Sequence, residues 1–194
     1  MIKEANTTFP IHPLIKSRWS PRVFADTPVS DEAIYTLFEA ARWAASSMNE
    51  QPWRFIYAKR ESDAYKIILK HLAEFNQQWV KNAPVIILTA YKEKFNSGKE
   101  NFHALHDLGL AMGNLSLQAQ SMGLAVHHMA GLDWKKLQEI FNVQEGFHIT
   151  TAVAVGYYGG DPSVLPEDLE ESERAPRKRL PLNTLACEGK WIEQ

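Results

Sequence analysis

Only one cysteine, Cys187, occurs in 194 residues. A single thiol can form no internal disulfide and no thiolate metal cluster, and it permits a reducing compartment. No run is long and apolar enough to span a bilayer. The mostly polar stretch 1–11 has no apolar core of leader-peptide length. Excess charge is also missing: 21 Lys and Arg face 23 Asp and Glu, a formal net charge of -2. That balance favours neither a nucleic acid nor an anionic membrane as a general partner. No repeat or low-complexity tract occurs, and no composition shift marks a domain boundary. No glycine-rich dinucleotide fingerprint follows the first expected strand, which disfavours the usual nucleotide-binding fold. What remains is an ordinary composition, 45% hydrophobic and 23% charged. It suits one domain over 1–194 with a full core, expected to be cytoplasmic.

The apolar pattern divides the chain into alternating helices and strands. Residues 12–18 can form a short helix. A clear helix follows, with Ser30 as cap, Asp31 and Glu32 at its positive end, and a stripe of Ile34, Leu37, Phe38, Ala41 and Ala45. It stops near Ser46. Residues 53–58 read as a strand, 64–81 as mostly helical, and 85–91 as a buried strand after Pro84. The segment 102–122 is a helix with apolar residues around most of its circumference, so it is expected to be buried on most sides, as a central helix or at a subunit interface. Gly109 and Gly113, four apart, would let another backbone come close. Gly123 ends this helix. A strand over 124–129, a short helix capped by Asp133 and a strand over 149–155 follow. The polar, proline-rich remainder shows no helical pattern and is too long to leave undocked.

Two basic clusters carry potential chemistry. Arg18 and Arg22 flank Ser20 in one loop, and Arg177, Lys178 and Arg179 lie near the far end. Guanidinium forks and a hydroxyl suit a phosphate, while short basic runs are also common as solvated surface. The segment Ser46 to Trp53 offers hydroxyls, amides and an indole that can read a heterocycle, or serve as ordinary turn chemistry. His127 and His128 are strand neighbours and face opposite sides. His103 and His106 can share a helix face and, with Asp107 or Asp133, define a metal-hydrolase alternative, although no ligand motif of defined spacing is present.

Together these pieces resemble the FMN-dependent nitroreductase family. The resemblance rests on Arg18-Trp19-Ser20-Pro21-Arg22-Val23-Phe24, on Ala45-Ser46-Ser47-Met48-Asn49-Glu50-Gln51-Pro52-Trp53, and on the long 102–122 helix. It continues through Gly123-Leu124 to Met129-Ala130-Gly131-Leu132-Asp133, Gly156-Tyr157-Tyr158 and Arg177-Lys178-Arg179-Leu180-Pro181. It covers nearly the whole chain in order. It implies an α+β, three-layer α/β/α sandwich with a mixed central sheet, in an intertwined homodimer whose C-terminal tail, from about residue 157, wraps the partner subunit. It implies FMN as cofactor and NAD(P)H as co-substrate. Hydride would pass through flavin N5 to a small electron-poor acceptor, a nitroaromatic, quinone or similar, in ping-pong fashion. Arg18, Trp19 and Ser20 would lie by the phosphate and ribityl chain, with Arg177 and Arg179 closing on the phosphate. Arg22 would reach the N1/O2 edge of the ring. Ala45, Ser46, Ser47 and Asn49 would come from the other subunit, with Gln51 standing in for a middle-segment Asn or Lys. Met129, Ala130 and Gly131 would pass beside the ring, one main-chain N–H directed at N5. Trp19 departs from the basic residue many members have there, and Ala130 from an acidic one. A flavin-binding or storage module without turnover is the other flavin reading.

Overall fold

The computed structural model describes residues 3–191. Its sheet runs in the order β1-β2-β4-β3, with β1 Trp53–Lys59, β2 Val85–Lys92, β3 Leu124–Met129 and β4 Phe147–Tyr157. The helices are α1 Pro13–Ser17, α2 Asp31–Arg42, α3 Asp63–Lys70, α4 Glu74–Val80, α5 Ala104–Ser121, α6 Trp134–Ile140 and α7 Glu167–Arg174. Side chains alternate across the sheet and seed two cores. Val85, Ile87, Val153, Val155, Leu124 and Val126 meet α2 and α5. Ile86, Leu88, Ala152, Ala154 and Ala125 meet α3, α4, α6 and α7. This is the expected three-layer α/β/α arrangement.

The expected mixed sheet is corrected: all three strand pairings are antiparallel. The helix α5 does join two strands that run the same way, β2 and β3, but β4 lies between them and pairs antiparallel with both. Its residues Ala152 to Val155 are apolar on both faces and 0% exposed, so β4 takes a central slot that a simple crossover would have closed.

Local chemistry sets the helix ends. Ser30 Oγ accepts the Ala33 N–H and Asp133 accepts the Lys136 N–H, as N-caps do. The expected helix over 64–81 is two helices. At residues 71–73 the chain leaves the helix to pair with 131–133: Ala73 donates to the Gly131 carbonyl at 2.9 Å and His71 accepts from Asp133 N–H at 2.8 Å. No breaker residue marks that turn. The tail holds a helix the apolar pattern missed. In α7 only Leu169 and Glu173 are buried, so it carries no readable apolar stripe. Tyr158, Leu165 and Leu169 pack in the core of their own chain. After α7 every described residue but the half-buried Arg177 is exposed.

The burial of α5 is one-sided. Ala104, Leu108, Ala111, Met112, Leu115 and Ala119 face the core, while Leu105 and Leu110 are exposed. A Cβ added at Gly109 or Gly113 would meet nothing within 4 Å. The apolar circumference thus divides into a face that fills the core and a face open at the surface. No helix of the described residues is long and apolar enough to cross a membrane.

Candidate functional site

The loop between α1 and α2 brings one basic cluster to the other. Lys3, Arg18, Trp19, Ser20, Arg22, Glu173, Arg177 and Arg179 line a cleft of about 220 Å³. Arg18 donates to Ser20 Oγ at 3.2 Å. Arg177 is fixed by donating to the main-chain carbonyls of Lys3 at 3.0 Å and Lys16 at 2.7 Å. Burial, and then the charges of Arg18 and Arg179, hold the Arg177 guanidinium below its usual pKa. Cations gathered closely enough to disfavour one another form a site ready for an anion. Lys3 lies with its ammonium 4.7 Å from the centre of the Trp19 ring and contacts the Glu173 carbonyl oxygen. Sequence reasoning missed Lys3 and Glu173, because only the fold carries the N-terminal segment and α7 to this loop.

Trp19 serves as a wall. It is buried and stacked on Tyr158 at 6.1 Å, and the Tyr158 hydroxyl accepts its N–H at 3.3 Å. Arg22 is drawn toward α7. Its main-chain N–H donates to Glu173 Oε1 at 2.9 Å, and its guanidinium lies 3.6 Å from Glu173 Oε2 and 3.4 Å from Ser172 Oγ. Among the described residues, Arg22 Nε and Glu173 Oε2 are buried without a hydrogen-bond partner. The cation expected at a ring edge is thus held beside a buried carboxylate.

A trough of about 510 Å³ continues from the cleft. Arg18 and Ser20 line both, and Gly109, Met112, Gly113, Ser116, Leu117 and His128 complete it. His128 reaches it because His127 and His128 do face opposite sides. His128 Nε2 is 3.2 Å from Ser116 Oγ on α5. His127 sits 4.4 Å from the Trp79 ring on the other face and places Nδ1 2.9 Å from the Pro21 carbonyl. Burial pushes the His127 pKa down to about 4, so at neutral pH the ring is uncharged and Nδ1–H is the donor to Pro21.

The other expected residues lie elsewhere in a single chain. Ala45, Ser46 and Ser47 line a separate hollow with His103, His106, Asp107 and Leu110. Asn49 and Gln51 are exposed on the same segment, where Gln51 Nε2 donates to the Asn49 carbonyl at 3.1 Å. Met129 is buried in the core, and the Gly131 carbonyl accepts from Ala73 and Asn76. Only the intervening Ala130 is exposed. Among the described residues no three His, Cys, Asp or Glu side chains gather as a metal-ligand set. An apolar hollow of about 200 Å³ lies between Ile56, Leu88, Ala90 and Ile149. Its one charged lining residue, Arg54, already donates to the Gln51 and Trp53 carbonyls.

Cleft and trough together offer a cationic end and a flat, largely apolar floor. Known proteins are similar to this chain in sequence and fold. The sequence profile described as Nitroreductase family matches residues 15–157. A Streptomyces coelicolor protein provisionally named NADH dehydrogenase/NAD(P)H nitroreductase is 30% identical over 160 residues, covering 72% of this chain and 79% of its own. A solved structure described as an oxidoreductase containing FMN superposes with a TM-score of 0.91 at 36% identity, covering 97% of this chain and 96% of that one. A Desulfovibrio desulfuricans structure, described as a nitroreductase by provisional assignment and in complex with FMN, gives a TM-score of 0.72 at 25% identity over 94% of this chain and 99% of that one.

Proposed function

Because this chain belongs to the nitroreductase family, we propose that it is a homodimeric, FMN-dependent oxidoreductase that oxidises NAD(P)H and reduces a small electron-poor acceptor. The observation that carries the proposal is the continuity of the basic cleft with the trough along α5. A phosphate-bearing tail and a planar ring need those two environments side by side. The donor set fits the group. Arg18, Ser20, Arg177 and Arg179, joined by Lys3, present charged and hydroxyl donors to a phosphate, the strongest kind of hydrogen-bonding partner. Arg22 holds a buried, unpartnered Nε next to them. Held by these residues, FMN would supply the hydride-transfer chemistry that links a reduced nicotinamide to the acceptor.

The chain's own residues bind, orient and exclude water. Trp19 walls the cleft, and Met112, Gly113 and Leu117 floor the trough. His127, neutral and anchored on Pro21, holds the loop that carries Arg18 and Ser20. Ala130 and Gly131 offer main chain at the end of β3, and Arg22 offers positive charge tempered by Glu173. Ala45, Ser46, Ser47, Asn49 and Gln51 serve the partner's cofactor. In support, Ala45, Ser46 and Ser47 line a hollow of their own, Asn49 and Gln51 lie exposed on the same segment, and the exposed face of α5 between hollow and trough is built of Leu105, Leu110, Gly109 and Gly113. Pairing two copies along that face would bring the segment of one over the trough of the other. Residues after α7, with exposed Leu180, Leu182 and Leu185, would wrap the partner. One trough admits nicotinamide and acceptor in turn, so parallel double-reciprocal plots are expected.

The test begins with the purified protein. It should be yellow, release FMN on heating and oxidise NADH or NADPH in the presence of a quinone or nitroaromatic. A colourless protein that takes up no added FMN overturns the reading. Bound flavin without NAD(P)H oxidation supports the storage module instead.

A further inference from the structure

Met48, Asn49 and Gln51 have φ values of 53°, 55° and 49°. Three side-chain-bearing residues in the left-handed region within four positions form an improbable conformation, which persists only where its surroundings enforce it. Several ties hold this segment. Gln51 N–H donates to Ser46 Oγ at 3.0 Å, and Gln51 Nε2 donates to the Asn49 carbonyl at 3.1 Å. The Glu50 carboxylate accepts Asn96 N–H at 3.2 Å. The first two are internal to the segment, and the third is at the surface. Arg54 on β1 adds a bond to the Gln51 carbonyl at 3.1 Å, and one further tie reaches α5. Ser47 N–H donates to Asp107 Oδ2 at 2.9 Å, and Asp107 is only 3% exposed on the first turn of α5. Its other oxygen lies 3.4 Å from His106 Nδ1.

We propose that Asp107 is a positioning residue that fixes the 46–51 segment to α5 in the conformation presented to the partner's cofactor. The inference rests on the functional reading above and adds a residue to it. A carboxylate that takes the Ser47 main chain leaves the Ser47 hydroxyl free, since among the described residues it makes no hydrogen bond. That hydroxyl can then serve a ligand. Anchoring on α5 has a further consequence. The helix that presents Gly109 and Gly113 to the second copy also carries the anchor, so docking the helix sets where the segment lands on the neighbouring trough. Burying a carboxylate costs desolvation, which hydrogen bonds offset in part, and the Ser47 N–H supplies one.

The experiment titrates FMN into the apo-protein by flavin fluorescence, alongside thermal melts and sedimentation, for the wild type, Asp107→Ala and Asp107→Asn. Asp107→Ala is expected to raise the FMN Kd tenfold or more while the dimer persists. Asp107→Asn keeps an oxygen facing Ser47 N–H and is expected to stay within threefold of the wild type. A role in stability alone would lower the melting temperature of the apo-protein in Asp107→Ala and leave FMN affinity unchanged, which overturns the proposal. Failure of Asn to rescue also overturns it, because charge and not the accepted hydrogen bond would then matter. If Asp107→Ala does not fold, Asp107→Glu displaces the acceptor by one methylene. At least a threefold loss is then expected, and unchanged affinity is a refutation. A wild type that binds no FMN fails the functional reading itself, and Arg177→Ala, which weakens the phosphate end with Asp107 intact, separates the two.

Discussion

Among the described residues, Glu173 is the single carboxylate in a cleft otherwise charged by Lys3, Arg18, Arg22, Arg177 and Arg179. It is 1% exposed, and its nearest counter-charge is the Arg22 guanidinium at 3.6 Å. Removing one partner of a buried pair strands the other, which costs roughly 3–5 kcal/mol. With Lys3, Arg18, Arg177 and Arg179 still in the cleft and the Arg22 main-chain N–H still on Glu173, Arg22→Gln is expected to lower the unfolding free energy by about 3 kcal/mol or less, and Arg22→Gln combined with Glu173→Gln to recover much of the loss. Urea denaturation measures both. An Arg22→Gln midpoint equal to that of the wild type would show that the pair carries no such energy. His127 sets a pH dependence in the same loop. Its pKa falls from an ordinary 6.5 to about 4, chiefly through burial. Between those two values the unfolded chain holds the proton more readily than the folded one. Stability is thus complete above pH of about 6.5 and declines toward pH 4, with a slope of up to about 1.4 kcal/mol per pH unit. Denaturation midpoints at neutral and mildly acidic pH should show this decline in the wild type, and His127→Gln should flatten it.

At the scale of elements, the sheet and its caps carry the frame that holds the cleft. Gly156 near the end of β4 leaves no room for a side chain. An added Cβ would lie 2.7 Å from Pro84 Cδ and 2.8 Å from Phe24 Cδ1. Phe24 belongs to the strand-like stretch that follows the Arg18–Arg22 loop and bridges to Tyr158. Gly156→Ala is expected to destabilise the protein by about 1–3 kcal/mol, as overpacking does, and to loosen the loop so that FMN affinity falls too. Chemical denaturation checks the first effect and fluorescence titration the second. Ser30→Ala removes the side-chain cap of α2 and is expected to cost roughly 1 kcal/mol. It lies away from the cleft, so affinity should not move with it.

At the scale of the whole molecule, the proposed site needs two chains. Leu110 sits at 42% exposure on the open face of α5, beside the hollow of Ser46 and Ser47. Leu110→Glu would place a charge where two helices are expected to close on one another, and an unpaired charge in such a contact is strongly unfavourable. The variant should sediment as a monomer at micromolar protein, and its FMN affinity should fall at least tenfold. A monomer that holds FMN as tightly as the wild type would show that one chain suffices. The tail offers a second view of the same question. Leu180, Leu182, Leu185 and Trp191 are all more than half exposed, an apolar surface that α7 leaves uncovered on its own chain.

The pattern of apolar residues was enough to locate β1 to β4 and the helices α2, α5 and α6, because a helical stripe or a short continuous apolar run is itself a local record of burial. Ser30 and Asp133 were legible as caps, since a cap acts within three residues. The ordered motifs from Arg18 to Arg179 were legible as a family pattern. Other features lay beyond sequence. The central place of β4 depends on which strand wins the slot between β2 and β3, a competition among distant segments. The break at residues 71–73 comes from pairing with 131–133, far along the chain. Helix α7 buries two side chains, Leu169 and Glu173, too few to leave a period. Lys3, Glu173 and Asp107 acquire their roles from partners 170, 151 and 60 residues away. Local periodicity records which face of an element is buried. It carries no record of which distant element will cover that face, and for this protein only the tertiary structure decided that.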